Sequence, residues 1–327
     1  MESPNKILQV FGIPFTALLS VLFGLLLISF PMGLYVIFET EIGGDINYEF
    51  PLTHLDLFDG IEQHPSLVDV SIGDAFVVLW VFYLGIFVIA TLGPKAGFLK
   101  TLSSVISFGK YDARLSYMMG VTKWFSILIL ISALINFIQE GFGVENIPPQ
   151  TENDLIQFFY VSLAPLIEEF VFRLILIGIP LFALYSNTSS VRHFIRCLWT
   201  PALLNTFDVK KAVFLIIFVG VLFGFAHIAF EDSWSGGKFA QAAASGIILG
   251  WVYLRYGFVT SLLIHWATNY FVFSFVGFLS QINSISIHDA FSHSLMSSLE
   301  ILFLVSGVLS ICMLFAQRFI STKEMTL

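Results

Sequence analysis

Eight apolar runs, most of them long enough to cross a bilayer, occupy the bulk of this 327-residue chain and leave it few ways to fold. An α-helix rises 1.5 Å per residue, so about 20 apolar residues span ~30 Å of hydrocarbon. The runs lie near Phe11 to Phe38, Asp74 to Leu92, Trp124 to Gln139, Leu155 to Tyr185, Val213 to Phe230, Phe239 to Tyr256, Phe258 to Leu279 and Leu295 to Ala316. The third is marginally long; the fourth has room for an interfacial first turn. In lipid every backbone polar group must be satisfied inside its own segment, which selects helices over open sheets. The expectation is therefore an all-α, polytopic transmembrane helical bundle of about eight spans. Composition agrees, with 57% hydrophobic and 12% charged residues, against about 25% charged in soluble domains.

The first run is far longer than a secretory h-region of about 7 to 15 residues and ends without a small-x-small cleavage site, so it is expected to stay as the first span. If the runs alternate, thirteen of the fifteen Lys and Arg residues fall on one side. Lys238 falls opposite and Arg173 lies within a span. The positive-inside rule then places both termini in the cytoplasm and makes the chain an integral, multi-pass protein, with the cell membrane as the expected location. No basic patch with interleaved aromatics occurs, so nucleic-acid binding is set aside. Cys197 and Cys312 are the only cysteines. Neither has metal-ligand spacing, and neither a disulfide nor a thiolate site is expected.

Three portions follow from this layout. Residues 1–150 hold the N-terminal spans with an acidic extracytoplasmic loop, 39–74, that carries nine acidic residues and no Lys or Arg. This loop reads as a lid, a small cap, or an ordinary solvated connection. Residues 151–280 hold the charged and polar intramembrane positions, and 281–327 the last span and tail. In the sixth run Ala242, Gly246 and Gly250 recur every four residues, a stripe read as close helix packing.

The chemistry is expected where ionisable groups interrupt hydrocarbon, because such groups are costly there and usually functional. The fourth run contains Glu168-Glu169-Phe-Val-Phe-Arg173. Glu169 and Arg173, four apart, share a helix face and suit an ion pair, whereas Glu168 points about 100° away and needs a partner from another helix. Pro165 removes a backbone donor one turn earlier and frees carbonyls that need water or a neighbour. His227 and His265 are the two intramembrane histidines of seven. Phe223 shares a face with His227 and walls its ring; His265 and Asn269 are again four apart. Each feature alone also has a structural reading, as a buried ion pair or as interhelical polar contacts. Together they form a minimum set for hydrolysis: a base for water, a group that orients it, and donors for a tetrahedral oxygen. No Gly-x-Ser-x-Gly elbow or cysteine nucleophile competes.

Glu168-Glu169-x-x-x-Arg173, Phe223-x-x-x-His227 and His265-x-x-x-Asn269, in that order on successive or near-successive helices, resemble the CAAX protease and bacteriocin-processing family of intramembrane endopeptidases. The type-II CAAX prenyl endopeptidases belong to that family. The resemblance covers about Thr151 to Leu279, with all motif positions intact. It implies that Glu168 activates water, that His227 helps hold it, that His265 and Asn269 form the oxyanion hole, and that Glu169 and Arg173 support the site. The implied partners are the lipid bilayer and a peptide or lipidated protein substrate, of CAAX type if prenylated. No cofactor is expected; zinc held by Glu168, His227 and His265 is the alternative, though no His-Glu-x-x-His motif is present. A non-catalytic immunity or secretion factor that uses the same residues as interhelical contacts is the rival function, and a proton-coupled transporter a further one.

Overall fold

The computed structural model describes residues 6–55, 70–109, 116–145, 153–188, 190–204, 208–229 and 235–324. Part of the acidic loop, 56–69, lies outside the described residues. The remainder is helical, with isolated bridges at Pro51–Ser71 and Pro94–Ser116 and no strand among the described residues.

The helices follow the apolar runs. They are α1 (Lys6–Phe38), α2 (Ile72–Leu92), the short α3 (Phe98–Phe108) and α4 (Tyr117–Gly141). Next α5 (Asp154–Glu169) passes through a π-helical segment, Phe170–Gly178, into α6 (Ile179–Tyr185). Then come α7 (Val191–Trp199), α8 (Val209–Ala226) and α9 (Lys238–Tyr256). Helix α10 (Phe258–Trp266) runs through a second π-helical segment, Ala267–Phe271, into α11 (Val272–Asn283). The chain closes with α12 (Ile287–Phe291) and α13 (Ser294–Glu324).

Six of these helical stretches are long and apolar enough to cross a membrane: α1, α2, α4, α8, α10 with α11, and the stretch ending in α13. The fourth and sixth apolar runs are helical too. The fourth carries the Glu-Glu-x-x-x-Arg charges, and the sixth is rich in Ala and Gly, which lowers their apolar character. The outer faces are greasy: Val78, Phe214 and Phe315 are exposed by 71, 73 and 67%. Such a surface is tolerable only against lipid. The chain is an integral, multi-pass helical membrane protein.

Two helix ends differ from the expected runs. The marginal third run becomes a 25-residue helix that starts at Tyr117, because Met118, Met119, Thr122 and Lys123 are buried rather than interfacial. Lys123 is tolerated there because Nζ donates to Tyr256 Oη at 3.1 Å and sits over the Tyr256 and Trp124 rings. Helix α8 stops at Ala226, several residues before the apolar run does, and His227 forms its C-cap.

At the centre stands α10, in which every residue from Phe258 to Trp266 is buried. Trp266 is clasped by Phe30 of α1, Tyr83 of α2 and Tyr270, with ring centroids 4.8, 5.6 and 4.9 Å away. Helices α4, α5 and α9 pack around the same helix. The closest helix contact joins α8 to α9. There a Cβ on Gly246 would lie 3.0 Å from Gly220 Cα, and one on Gly220 would lie 2.8 Å from the Ile247 nitrogen. The small-residue stripe is thus a packing seam, matched by glycine on the facing helix. This seam fixes the height of His227, at the end of α8, against the rest of the bundle.

Candidate active site

Helix α5 is started by Asn153, whose side chain accepts from the backbone of Leu155 and Ile156 and donates to Gly43 O at 2.7 Å. This tie holds α5 to the segment that follows α1. Pro165 is buried one turn before Glu168, and the helix widens to π geometry at Phe170, directly after the glutamate pair. The second π segment begins two residues after His265. π-helical turns are rare and concentrate at functional sites; here two of them flank one cluster of side chains.

Glu169 is the junction of that cluster. It is fully buried, yet its Oε2 lies 3.0 Å from Arg173 Nε and accepts from Ser261 Oγ, while Oε1 meets His265 Nδ1 at 3.0 Å. Arg173 is equally buried, with its guanidinium 4.9 Å above the Phe223 ring. Its Nη1 and Nη2 make no hydrogen bond among the described residues, and the 3.0 Å contact of Nε is an ion pair by distance rather than an aligned hydrogen bond. The expected Glu169–Arg173 pair is therefore present, and the burial it makes tolerable is that of two charges which would cost several kcal/mol each if unpaired.

Glu168 faces the other way. It keeps 27% of its side-chain surface exposed, and Oε2 lies 3.6 Å from His265 Nε2 and 4.0 Å from His227 Nε2. Oε2 itself is shielded and has no direct hydrogen-bond partner among the described residues. The His227 ring is oriented by Nδ1, which donates to Phe223 O at 2.8 Å. Both imidazoles thus spend Nδ1 on a fixed acceptor and turn Nε2 towards Glu168. Phe223 fills the space between them, with ring centroids 4.6 Å from His227, 5.8 Å from His265 and 4.9 Å from Phe172.

The structure brings together Glu168, Glu169, Arg173, His227 and His265. Asn269 is not tied to these five by a hydrogen bond among the described residues: it lies inside the second π segment and accepts from Thr268 Oγ1 at 3.4 Å. Two further residues belong to the site. Ser261, one turn before His265, is hidden in the sequence because serines are ordinary in membrane helices; its spacing of four from His265 is the available signal. Lys238, at the start of α9, lies within electrostatic reach of Glu168 and His227, and its Nζ donates to Gln241 Oε1 at 2.7 Å. Its solitary position in the charge tally is the clue.

Two imidazole Nε2 atoms and a carboxylate match the donor chemistry of a hydrolytic zinc site, and both Nδ1 atoms are held as metal-ligating histidines usually are. Yet no group of three His, Cys, Asp or Glu side chains among the described residues is arranged to hold a metal ion. The arrangement does present a carboxylate with an oxygen turned to two nitrogen-bearing rings, backed by a second carboxylate and a buried cation. That is equipment for moving a proton beside a carboxylate that keeps part of its surface exposed.

Residues 152–271 match the family model described as type II CAAX prenyl endopeptidase Rce1-like. No curated protein and no solved structure matches the chain. The matched segment contains all six site residues read from the sequence.

Proposed function

We propose that this chain, which carries a domain similar to the type II CAAX prenyl endopeptidases over residues 152–271, is an intramembrane endopeptidase that hydrolyses a peptide bond with a water activated by Glu168. The family is one of proteases acting on protein substrates at membranes. One observation carries the finer reading: Glu168 Oε2 stands opposite two oriented imidazole Nε2 atoms at 3.6 and 4.0 Å, distances that suit a bridging water rather than a direct hydrogen bond.

In this mechanism Glu168 takes a proton from water, held also by His227, and the resulting hydroxide adds to the scissile carbonyl. The proton then passes to the leaving amine as the carbon–nitrogen bond breaks. His265 and Asn269 receive the oxyanion. For His265 to donate from Nε2 while its Nδ1–H stays on Glu169, it must carry both ring protons; the Glu169 carboxylate stabilises that form as negative charge develops opposite. Asn269 supplies the second donor from a π turn, where its side chain has a single weak hydrogen bond among the described residues. The expected substrate is a membrane-associated or prenylated, CAAX-type protein, and no step is routed through a metal.

The deciding experiment compares purified wild type with Glu168→Gln on a quenched fluorescent farnesylated CAAX peptide. The proposal expects cleavage by wild type and loss of at least about a thousandfold in the variant, with unchanged thermal unfolding. Full proteolysis by folded Glu168→Gln would sink the mechanism. Stoichiometric zinc in active protein, with loss on chelation and recovery on zinc return, would replace it with the metal alternative. The protease core at 151–280 of this cell-membrane protein rests on the three motifs and the matched domain. The eight-span arrangement, with both termini in the cytoplasm, rests on the apolar runs and the distribution of Lys and Arg. Labelling of single cysteines placed at Asn187 and Ser284 from each side of the membrane tests it.

A further inference from the structure

A concavity lies away from the Glu168 cluster, where α6 ends and α8 begins. It has a volume of about 430 Å³ and is walled by Pro180, Leu184, Phe214 and Leu215, with Lys210 and Lys211 on its lining. The lining is nearly all apolar, with Lys210 and Lys211 contributing chiefly their stems, and it fits an amphiphile whose alkyl chain lies within while its anionic head meets the two lysines. Asp208 is the acidic group beside the lysines, and its carboxylate is engaged in capping α8 through the Lys210 backbone N–H at 2.9 Å.

The neighbouring α7 says what medium this end of the molecule meets. It packs on α6 through Phe194, whose ring centroid is 4.9 Å from that of Phe182, and it buries Cys197. Its outward face carries two stripes at helical spacing. One is apolar, with Val191, Ile195 and Trp199 exposed by 72, 60 and 38%. The other is basic, with Arg192 and Arg196 both exposed. A helix so divided lies in the plane of a membrane interface, its apolar stripe among acyl chains and its arginines among headgroups. Because α7 packs on α6, one wall of the trough, the trough opens at headgroup depth, with Lys210 and Lys211 as the cations on its lining.

We infer that the trough between α6 and α8 is a binding site for an anionic phospholipid, with its phosphate held by Lys210 and Lys211 and one acyl chain laid along Pro180, Leu184, Phe214 and Leu215. The two lysines select negative charge and the trough selects a chain, so the site differs from a charged surface that merely attracts acidic membranes. A bound lipid bridges α6, which continues the helix of Glu169 and Arg173, to α8, which ends at His227.

The test is native mass spectrometry of the full-length, delipidated protein in detergent, titrated with phosphatidylglycerol or with phosphatidylcholine of the same chains. Wild type is expected to bind one phosphatidylglycerol about tenfold more tightly than phosphatidylcholine. The Lys210→Gln/Lys211→Gln variant should lose that preference, and Lys210→Arg/Lys211→Arg should keep it, which separates lost charge from lost folding. Leu215→Trp, which fills the trough and leaves every charge in place, should weaken phosphatidylglycerol binding by a similar factor. Equal binding of the two lipids by wild type, or unaltered binding in Leu215→Trp, overturns the inference. So does displacement of the lipid by a farnesylated peptide at equal concentration, which would give the trough to a substrate chain.

Discussion

The two faces of the Glu168–Glu169 dipeptide differ in how completely their polar groups are satisfied. Glu169 is enclosed and answered by Arg173, Ser261 and His265 from the π segment and from α10. Glu168 is more than a quarter exposed and stands beyond hydrogen-bond distance of both histidines that face it. A buried carboxylate with both oxygens engaged has little left for a reactant, whereas one held near oriented rings without direct bonds has room for one. Two adjacent, chemically identical side chains thus sit in opposite surroundings: one ties α5 to α10, and the other keeps acceptor capacity to spare.

The sharpest way to break that division is to compare removal of charge on each face. Arg173→Met leaves Glu169 as an uncompensated buried anion, an effect of about 3–5 kcal/mol on stability, to be read as a fall in the unfolding midpoint in detergent together with loss of activity. Glu168→Gln should leave the midpoint where it is. Equal destabilisation by both would show that the faces do not differ. A step smaller, His227→Ala removes a ring at the end of α8 that no neighbouring helix needs for its own hydrogen bonds. Its expected signature is a fall of about a hundredfold in kcat with little change in unfolding. A drop in stability matching the drop in rate would instead make His227 a packing residue.

The ionisable groups of both faces were more legible in the sequence than the hydroxyl and the helix distortions that arrange them. Glu168, Glu169, Arg173, His227 and His265 stand out because a polar group inside an apolar run has few reasons to be there, and three motifs in order narrowed those reasons further. Ser261 carries no such contrast: a membrane-helix hydroxyl ordinarily bonds back to its own helix, and the pairing with Glu169 depends on how α5 meets α10. The two π segments also have no clear sequence mark, since Pro165 predicts a disturbed helix but not a widened turn after Glu169. A spacing of four put His265 and Asn269 on one helix face without showing that a π turn would begin between them. Lys123 misplaced the start of α4 for a related reason: a lysine reads as a span boundary until Tyr256 and Trp124, brought over it by the fold, are seen to shelter it.

The supporting face makes a finer prediction through Ser261. Its hydroxyl donates to a charged acceptor, a class of bond worth about 1.5–3 kcal/mol, but Glu169 retains Arg173 and His265 when it is removed. Ser261→Ala should therefore lower kcat about tenfold while KM stays near the wild-type value, and Ser261→Thr, which keeps the hydroxyl, should restore most of the rate. A loss that Thr fails to rescue would locate the effect in packing rather than in the orientation of His265.

The smallest effect is expected from Lys238, which belongs to neither face. It acts on Glu168 and His227 across space rather than through contact, so its influence is Coulombic and screened where solvent reaches it. Replacing it by Met should cost about threefold in kcat/KM, or ~0.6 kcal/mol, and the difference from wild type should shrink as salt rises from about 0.05 to about 0.5 M. The same substitution on the Glu169 side of the site would be insensitive to salt, because Arg173 is fully buried. Measuring Lys238→Met at both salt concentrations thus asks directly whether the Glu168 face is open to water while its neighbour is closed; a salt-independent effect would mean that it is not.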